Sequence, residues 1–350
     1  MATILGTSQK DLKKSSQLIR EGKLVVFPTN NVYSIGTNAF NENAIKNIYK
    51  YKNKPFHDPP IINISNWKMG KVFCDLQPIE TTIVEKLINE FWPGPLTLVV
   101  KANALNNITF TEPFQNLVAL QSPKNKIFRT LISYSGLPIA TSSANIFKSC
   151  SSTSFEHVKH YFGNNTDITI IKSDKPCKIG TETTIIKIVN NNISIVRNGI
   201  ITKEQINKVL ENELTTPIVF NIPKFSHYQI NKYMSLVLFI NNDILDKSSH
   251  KVDITKTLNY YLMNHIFIDF GGKNIDKIKK FYGYVDLSEK GDIKEALYNL
   301  YDVLHKIQKI DCKKVMIFNY CKNKDGLYRT LYDRLYRICN GKELLIPTCD

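Results

Sequence analysis

Lys52 and Lys54 stand two residues apart in "YKNKPFHDPPIINI", beside a proline-rich turn. In an extended segment such a pair projects to one side, where two ammonium groups clamp a phosphate chain. The alternative is a solvated basic loop. Three further polar stretches sit at strand ends. "FPTNNVYSIG", residues 27 to 36, follows the apolar run Leu24 to Phe27 and opens onto Thr29, Asn30, Asn31 and Tyr33. "PIATSSAN" ends in Thr141, Ser142, Ser143 and Asn145, and "KIGTETTIIKI" offers Gly180, Glu182, Thr183 and Thr184. Short hydroxyl and amide side chains at such places bind ligands, cap helices or form turns. A site built from lysines, hydroxyls and amides aligns and neutralises charged reactants; no acid–base triad is in view.

The elements that must hold these stretches are mixed α/β. "KLVVFP", "PIINIS", "PLTLVVK" and "VALQSP" read as strands. "ENAIKNIYKYKN", "ETTIVEKLINEF" and "NKIFRTLISYSG" between them read as amphipathic helices, the last ending at Gly136. "ITIIKS", "TTIIKIV" and "ISIVRNG" close the series as strands. "TKEQINKVLEN" follows as a helix with Thr202 at its N-cap and a glutamate soon after. "WPGP", residues 92 to 95, is a rigid framework turn, since none of its side chains moves a proton usefully.

At 350 residues the chain exceeds one ordinary core, so two domains are expected. Residues 1–211 form the first and 235–350 a smaller Rossmann-like second, with 212–234 as linker or lid. "MSLVLFIN", "HIFIDF" and "KVMIFNY" are continuous apolar strands of a covered parallel sheet. No GxGxxG turn accompanies them, and "DFGG" stands without the other kinase parts. The seven cysteines form no CxxC pair, which disfavours zinc and disulfides and suits reduced cytosolic thiols. No apolar run reaches the roughly 20 residues of a membrane span. The net charge of +15 suits nucleotide or RNA partners, or reflects a lysine-rich genomic bias.

In order and spacing, "PTNNVYSIG", "KNKP", "WPGPLT", "SAN", "GTETT" and "RNG" resemble motifs of the threonylcarbamoyl-AMP synthase family. "KFSHY" in the linker and "LSEKGDIKEALYNLYDVLHKI" in the second domain extend the resemblance to the family's long form. The resemblance implies a YrdC-like twisted mixed sheet with flanking helices. It implies a reaction of L-threonine, bicarbonate and ATP, with magnesium accompanying the ATP. The products are threonylcarbamoyl-AMP and pyrophosphate, and a downstream transferase modifies tRNA in the cytoplasm.

By the same resemblance, Lys52 and Lys54 face the phosphates and the carbamate. Asp58, Ser143, Asn145, Ser151 and Arg197 contact nucleotide, and Lys224, His227 and Tyr228 belong to a lid over it. Asn31, Asn63, Gln121, Thr141 and Thr183 fall at threonine positions. Several differ from the family pattern: Asn30 replaces an acid, Asn31 a threonine, Ser34 a glycine, Lys54 an arginine, Asn63 a histidine and Gln121 an arginine. Arginine at 121 is then expected to restore a charge-assisted contact to the threonine carboxylate and lower its KM. The departures also admit two other readings: a tRNA-binding relative without catalysis, and an enzyme for a different amino acid.

Overall fold

The computed structural model describes residues 1–56, 59–104, 116–211, 218–220, 235–240, 265–272, 283–310, 314–319, 325–338 and 343–345. The chain divides into two compact units, Met1–Phe147 with Ser151–Pro223, and Lys224–Asp350 with Lys148–Cys150. The first unit runs β1 (Thr3–Leu5), α1 (Gln9–Arg20), β2 (Leu24–Phe27), β3 (Ser34–Asn38), α2 (Glu42–Lys52), β4 (Ile61–Asn63), α3 (Trp67–Lys71) and α4 (Pro78–Phe91). It continues with β5 (Leu96–Lys101), β6 (Leu117–Gln121), α5 (Lys126–Ser135), β7 (Ile139–Ser143), α6 (Phe155–Phe162), β8 (Ile168–Ile171), β9 (Thr184–Val189), β10 (Asn192–Arg197), α7 (Lys203–Leu210) and β11 (Val219–Phe220).

These strands form one mixed 11-stranded sheet in the order β1-β8-β2-β3-β7-β4-β6-β5-β9-β10-β11. The expected mixed sheet with flanking helices is therefore present. β2 shows why it is covered on both faces. Its four residues are all buried, yet they alternate: Val25 and Phe27 pack with Leu12 and Ile19 of α1 and Phe128 and Leu131 of α5. Leu24 and Val26 point the other way, into the larger core with Ile45 and Ile48 of α2. Each such buried aliphatic side chain contributes about 1.5–3 kcal/mol of transfer free energy. Toward the other end of the sheet, β9 alternates buried Thr184, Ile186 and Ile188 with partly exposed neighbours, as a half-covered strand should.

Local sequence sets the helix ends. Ser8 caps α1, accepting from the Asp11 N–H, and Gly22 (φ 79°) turns the chain away after it. Thr202 caps α7 as expected, but the side chain that reaches back to its N–H is Gln205, completing a capping box. Inside the segment expected as linker, Val219–Phe220 instead add a strand beside β10, paired in parallel.

The second unit contains β12 (Ser235–Ile240), β13 (His265–Asp269), β14 (Gly283–Asp286), α8 (Ile293–Ile307), β15 (Lys314–Asn319), α9 (Leu327–Ile338) and β16 (Glu343–Leu345). Its sheet is wholly parallel, in the order β14-β13-β15-β12-β16. Counted from its own first strand that is 3-2-4-1-5, which differs from the 3-2-1-4-5 order of the dinucleotide-binding fold. The Gly271 and Gly272 N–H groups of "DFGG" both donate to the Asp286 carboxylate, so this loop is internally bonded. Among the described residues no helix is long and apolar enough to cross a membrane.

Candidate active site

Helix α2 delivers Lys52. It starts at the Asn41 cap, buries Ile45, Ile48 and Tyr49, and ends with Lys52 itself, 2% exposed. Asn53 then takes the left-handed conformation (φ 52°) and its N–H returns to Lys50 and Tyr49 carbonyls. That cap separates the two lysines. Lys52 turns inward; Lys54 lies with its Nζ 5.4 Å from the centre of the Tyr49 ring. The expectation that both project to one side from an extended segment is thus corrected. The reason is that Lys52 is helical and Asn53 reverses the chain.

The Lys52 ammonium bonds to the Ser143 carbonyl, the Asn145 carbonyl (2.7 Å) and Asn145 Oδ1 (3.3 Å), with Ser143 Oγ at 3.5 Å. β7 supplies this turn: Ser143 ends the strand, opposite Ser34 of β3. Ser152 is tied into the same place, donating through Oγ to the Ala144 carbonyl (2.5 Å). Tyr33, from "PTNNVY", bridges both, its N–H on the Ser152 carbonyl and its carbonyl accepting from Ala144 N–H. Ser151 donates to Glu182 Oε1 at 2.6 Å. Burial pulls Lys52 well below the ordinary lysine range and the Lys54 charge adds to this, while the Glu182 carboxylate opposes both.

The amide and hydroxyl positions fall into three bonded groups. Asn31 donates to the Thr181 carbonyl (2.9 Å) and accepts, through its own carbonyl, the Gly180 N–H. Asn63 donates to Thr141 Oγ1 at 2.8 Å. Arg197 grips Thr183 twice, Nε on its carbonyl (2.8 Å) and Nη2 on its hydroxyl (2.7 Å). The Thr183 hydroxyl lies 2.8 Å from that of Thr97, which donates to Gln121 Oε1 at 3.4 Å. Gln121 Nε2 then donates to the Gly94 carbonyl of "WPGP". One donor direction satisfies the whole relay, from Arg197 through Thr183 and Thr97 to Gln121.

Thr97, fully buried, links the framework motif to the site, and its role was hidden inside "WPGPLT". Glu182, 7% exposed, lay within "GTETT" without an assigned part. The structure pairs Lys52 with Ser143 and Asn145, Asn31 with Thr181, Asn63 with Thr141, Ser151 with Glu182, and Arg197 and Thr183 with Gln121 through Thr97, with Lys54 two residues past the end of α2. Asp58, Lys224, His227 and Tyr228 lie outside the described residues. Cys177, whose N–H bonds to the Thr153 carbonyl, is no nucleophile: burial pushes its thiol up to about 12.

Thr97→Val tests the relay. Valine matches threonine in shape but removes the hydroxyl shared by Thr183 and Gln121. Leaving their buried polar atoms short of a partner is expected to cost about 1–3 kcal/mol, read as a lower urea midpoint. An unchanged midpoint would remove the relay from the account.

A mixed-sheet α/β domain with this polar corner defines a class, and the comparisons specify it. The Sua5/YciO/YrdC family model, described as "Telomere recombination", matches residues 17–199, more than half of the chain. The protein belongs to this family. It is 36% identical over 209 residues to a threonylcarbamoyl-AMP synthase of Pyrococcus abyssi, covering 60% of each chain. It is 36% identical over 211 residues to a threonylcarbamoyl-AMP synthase of Bacillus subtilis, covering 59% of this chain and 58% of that one. The matched stretch thus spans about 60% of these relatives' length. The structure of P. abyssi Sua5 complexed with L-threonine superposes with a TM-score of 0.79 at 24% identity, covering 99% of both chains. That likeness establishes a shared fold.

Proposed function

We propose that the protein is a threonylcarbamoyl-AMP synthase. L-threonine and bicarbonate condense to N-carboxythreonine with loss of water; a carbamate oxygen attacks the α-phosphorus of ATP, and pyrophosphate leaves. Magnesium enters with the ATP, as part of that substrate. The observation that carries the reading is two bonded groups in the first unit, Lys52 with Ser143 and Asn145 and Arg197 with Thr183, whose residue types suit charged reactants. Family membership and the names of the curated relatives support it.

Such chemistry demands alignment of two anions with a third and exclusion of water more than proton transfer. The residues at the site suit that demand. Arg197 and Lys54 supply positive charge for the phosphates and carbamate. Ser143, Asn145 and Ser151 supply hydroxyl and amide contacts to nucleotide. Asn31, Asn63, Thr141 and Thr183 form the neutral side on which the amino acid rests, with Gln121 behind it, holding Thr97 and the framework turn. The proposal extends to a cytoplasmic setting, to a downstream transferase that delivers the threonylcarbamoyl group to tRNA, and to lid positions at Lys224, His227 and Tyr228 with Asp58 beside the nucleotide.

The test is pyrophosphate release from magnesium-ATP by the purified chain. Release is expected only when L-threonine and bicarbonate are both present. Release that ignores either would overturn the proposal. A stronger response to another amino acid would keep the reaction and correct the substrate, a result to which the neutral Asn31 and Asn63 give particular point.

A further inference from the structure

Residues 151–153 belong to no helix or strand, yet Ser151, Ser152 and Thr153 are 1%, 0% and 4% exposed. Buried backbone outside regular elements must find its hydrogen bonds elsewhere. Here those bonds join the parts of the site. Ser151 donates through its hydroxyl to Glu182 Oε1 at 2.6 Å. Ser152 donates to the carbonyl of Ala144, between Ser143 and Asn145, and its own carbonyl accepts the Tyr33 N–H at 2.7 Å. The Thr153 carbonyl accepts the Cys177 N–H at 2.8 Å, and the Thr153 N–H donates to Nδ1 of His157 at 3.2 Å.

His157 is the third residue of α6, 8% exposed, and its own N–H donates to the hydroxyl of the capping Ser154 at 3.4 Å. In an ordinary capping box a side chain at this position reaches back to the N–H of the cap residue. Here the imidazole reaches one residue further, to Thr153. That bond fixes the chemistry of the ring. A backbone N–H can only donate, so Nδ1 carries the lone pair and the ring proton sits on Nε2. The Thr153 hydroxyl, 3.3 Å from the same nitrogen, faces that lone pair as a donor too.

We propose that His157, as the neutral ring with Nδ1 unprotonated, is the positioning residue that sets the 151–153 stretch against the site. It touches no substrate. By fixing Thr153 it fixes where Ser152 holds Ala144 and Tyr33, and where Ser151 meets Glu182. The inference deepens the synthase reading, in which Ser143, Asn145 and Ser151 serve the nucleotide, and rests on that reading for its kinetic test. A histidine that merely packs makes a different demand. Apolar bulk at 157 would satisfy packing, whereas positioning requires an acceptor atom bonded to Cγ.

Two substitutions separate these roles. His157→Asn puts an amide oxygen on Cγ, where Nδ1 stands; His157→Leu puts a methyl group there. Amide hydrogen exchange needs no activity. In His157→Leu the Thr153 amide should exchange about tenfold faster or more, as loss of its acceptor requires. The Val158 amide, bonded to the Ser154 carbonyl at the start of α6, should exchange as in wild type. His157→Asn should keep both amides within about threefold of wild type. Equal acceleration of the two amides in His157→Leu would overturn the inference, and so would a His157→Asn protein that exchanges like His157→Leu. In the wild-type protein at neutral pH, nitrogen NMR should find Nδ1 of His157 unprotonated. A protonated Nδ1 overturns the inference even if neither variant folds.

In threonine-dependent pyrophosphate release, His157→Leu should raise the KM for ATP about tenfold, the size of one lost hydrogen bond. The KM for L-threonine should stay within about twofold. His157→Asn should restore the value for ATP. An equal rise in both KM values, or a loss of kcat with both unchanged, would overturn the positioning role. If wild type releases no threonine-dependent pyrophosphate while the amides behave as expected, the inference about the stretch stands and the synthase reading falls.

Discussion

Gly199→Ala is expected to unseat the site and to cost about 3 kcal/mol or more of stability. A Cβ at this position would lie 2.4 Å from the Thr184 nitrogen, 2.6 Å from the Thr183 carbonyl carbon and 2.8 Å from the Glu182 carbonyl oxygen. All three are backbone atoms, so no side-chain rotation relieves the clash. The two strands beside it cannot slide apart freely either. Thr184 Oγ1 donates to the Ile201 carbonyl and accepts the Ile201 N–H, which closes the 197–201 turn against β9. Arg197 holds Thr183 through two further bonds. Any shift that admits the methyl group therefore displaces Glu182, Thr183 or Arg197. A displacement near 1 Å at such residues lowers rate about a hundredfold. Gly136→Ala is the contrast. Gly136 also has a restrictive backbone (φ 66°), but a Cβ there meets nothing within 4 Å, so only about 1 kcal/mol of left-handed strain is expected. Urea unfolding and pyrophosphate release on both variants decide the matter; a Gly199→Ala protein as stable as Gly136→Ala would refute the steric account.

The same glycine shows which parts of the protein the sequence makes legible. "RNG" is readable as part of an ordered set of motifs, because each motif is contiguous and its spacing survives in the chain. The alternation in "LVVF", the Thr202 cap and the stop at Gly136 are readable because they are local consequences of side-chain period and backbone preference. Which way a charged side chain turns is a different kind of fact. "KNKP" does not reveal that Asn53 adopts a left-handed cap, and that cap sends Lys52 inward and Lys54 across Tyr49. Thr97 and Thr183 are 86 residues apart and meet through hydroxyls whose types are ordinary in any strand. Glu182 accepts from Ser151, 31 residues away in the chain. Strand order in the second unit is also global: three apolar runs indicate a parallel sheet, but not that β15 enters between β13 and β12.

Gln121→Arg is where sequence and structure give opposite expectations. The family pattern places an arginine there, so the substitution should tighten threonine binding. The structure predicts a destabilised protein instead. Gln121 is 8% exposed and uses both ends of its amide, Nε2 on the Gly94 carbonyl and Oε1 under the Thr97 hydroxyl. Arginine has donors only. It can keep the Gly94 bond, but it leaves the Thr97 proton without an acceptor and reverses the relay that begins at Arg197. It also brings a second guanidinium into a chain of bonds whose described members, Thr183, Thr97 and Gly94, carry no negative charge. Burying a cation without a partner is expected to cost about 3 kcal/mol or more, well beyond the loss of one neutral hydrogen bond. The urea midpoint should fall accordingly. L-threonine should not restore it, because the groups that Gln121 serves belong to the framework turn and to β5, and the substitution offers the substrate carboxylate no new exposed donor. A stable Gln121→Arg protein with a lower KM for threonine would show the reverse. Position 121 would then face the amino acid, and the bonds to Gly94 and Thr97 would be ones that an arginine can abandon at little cost.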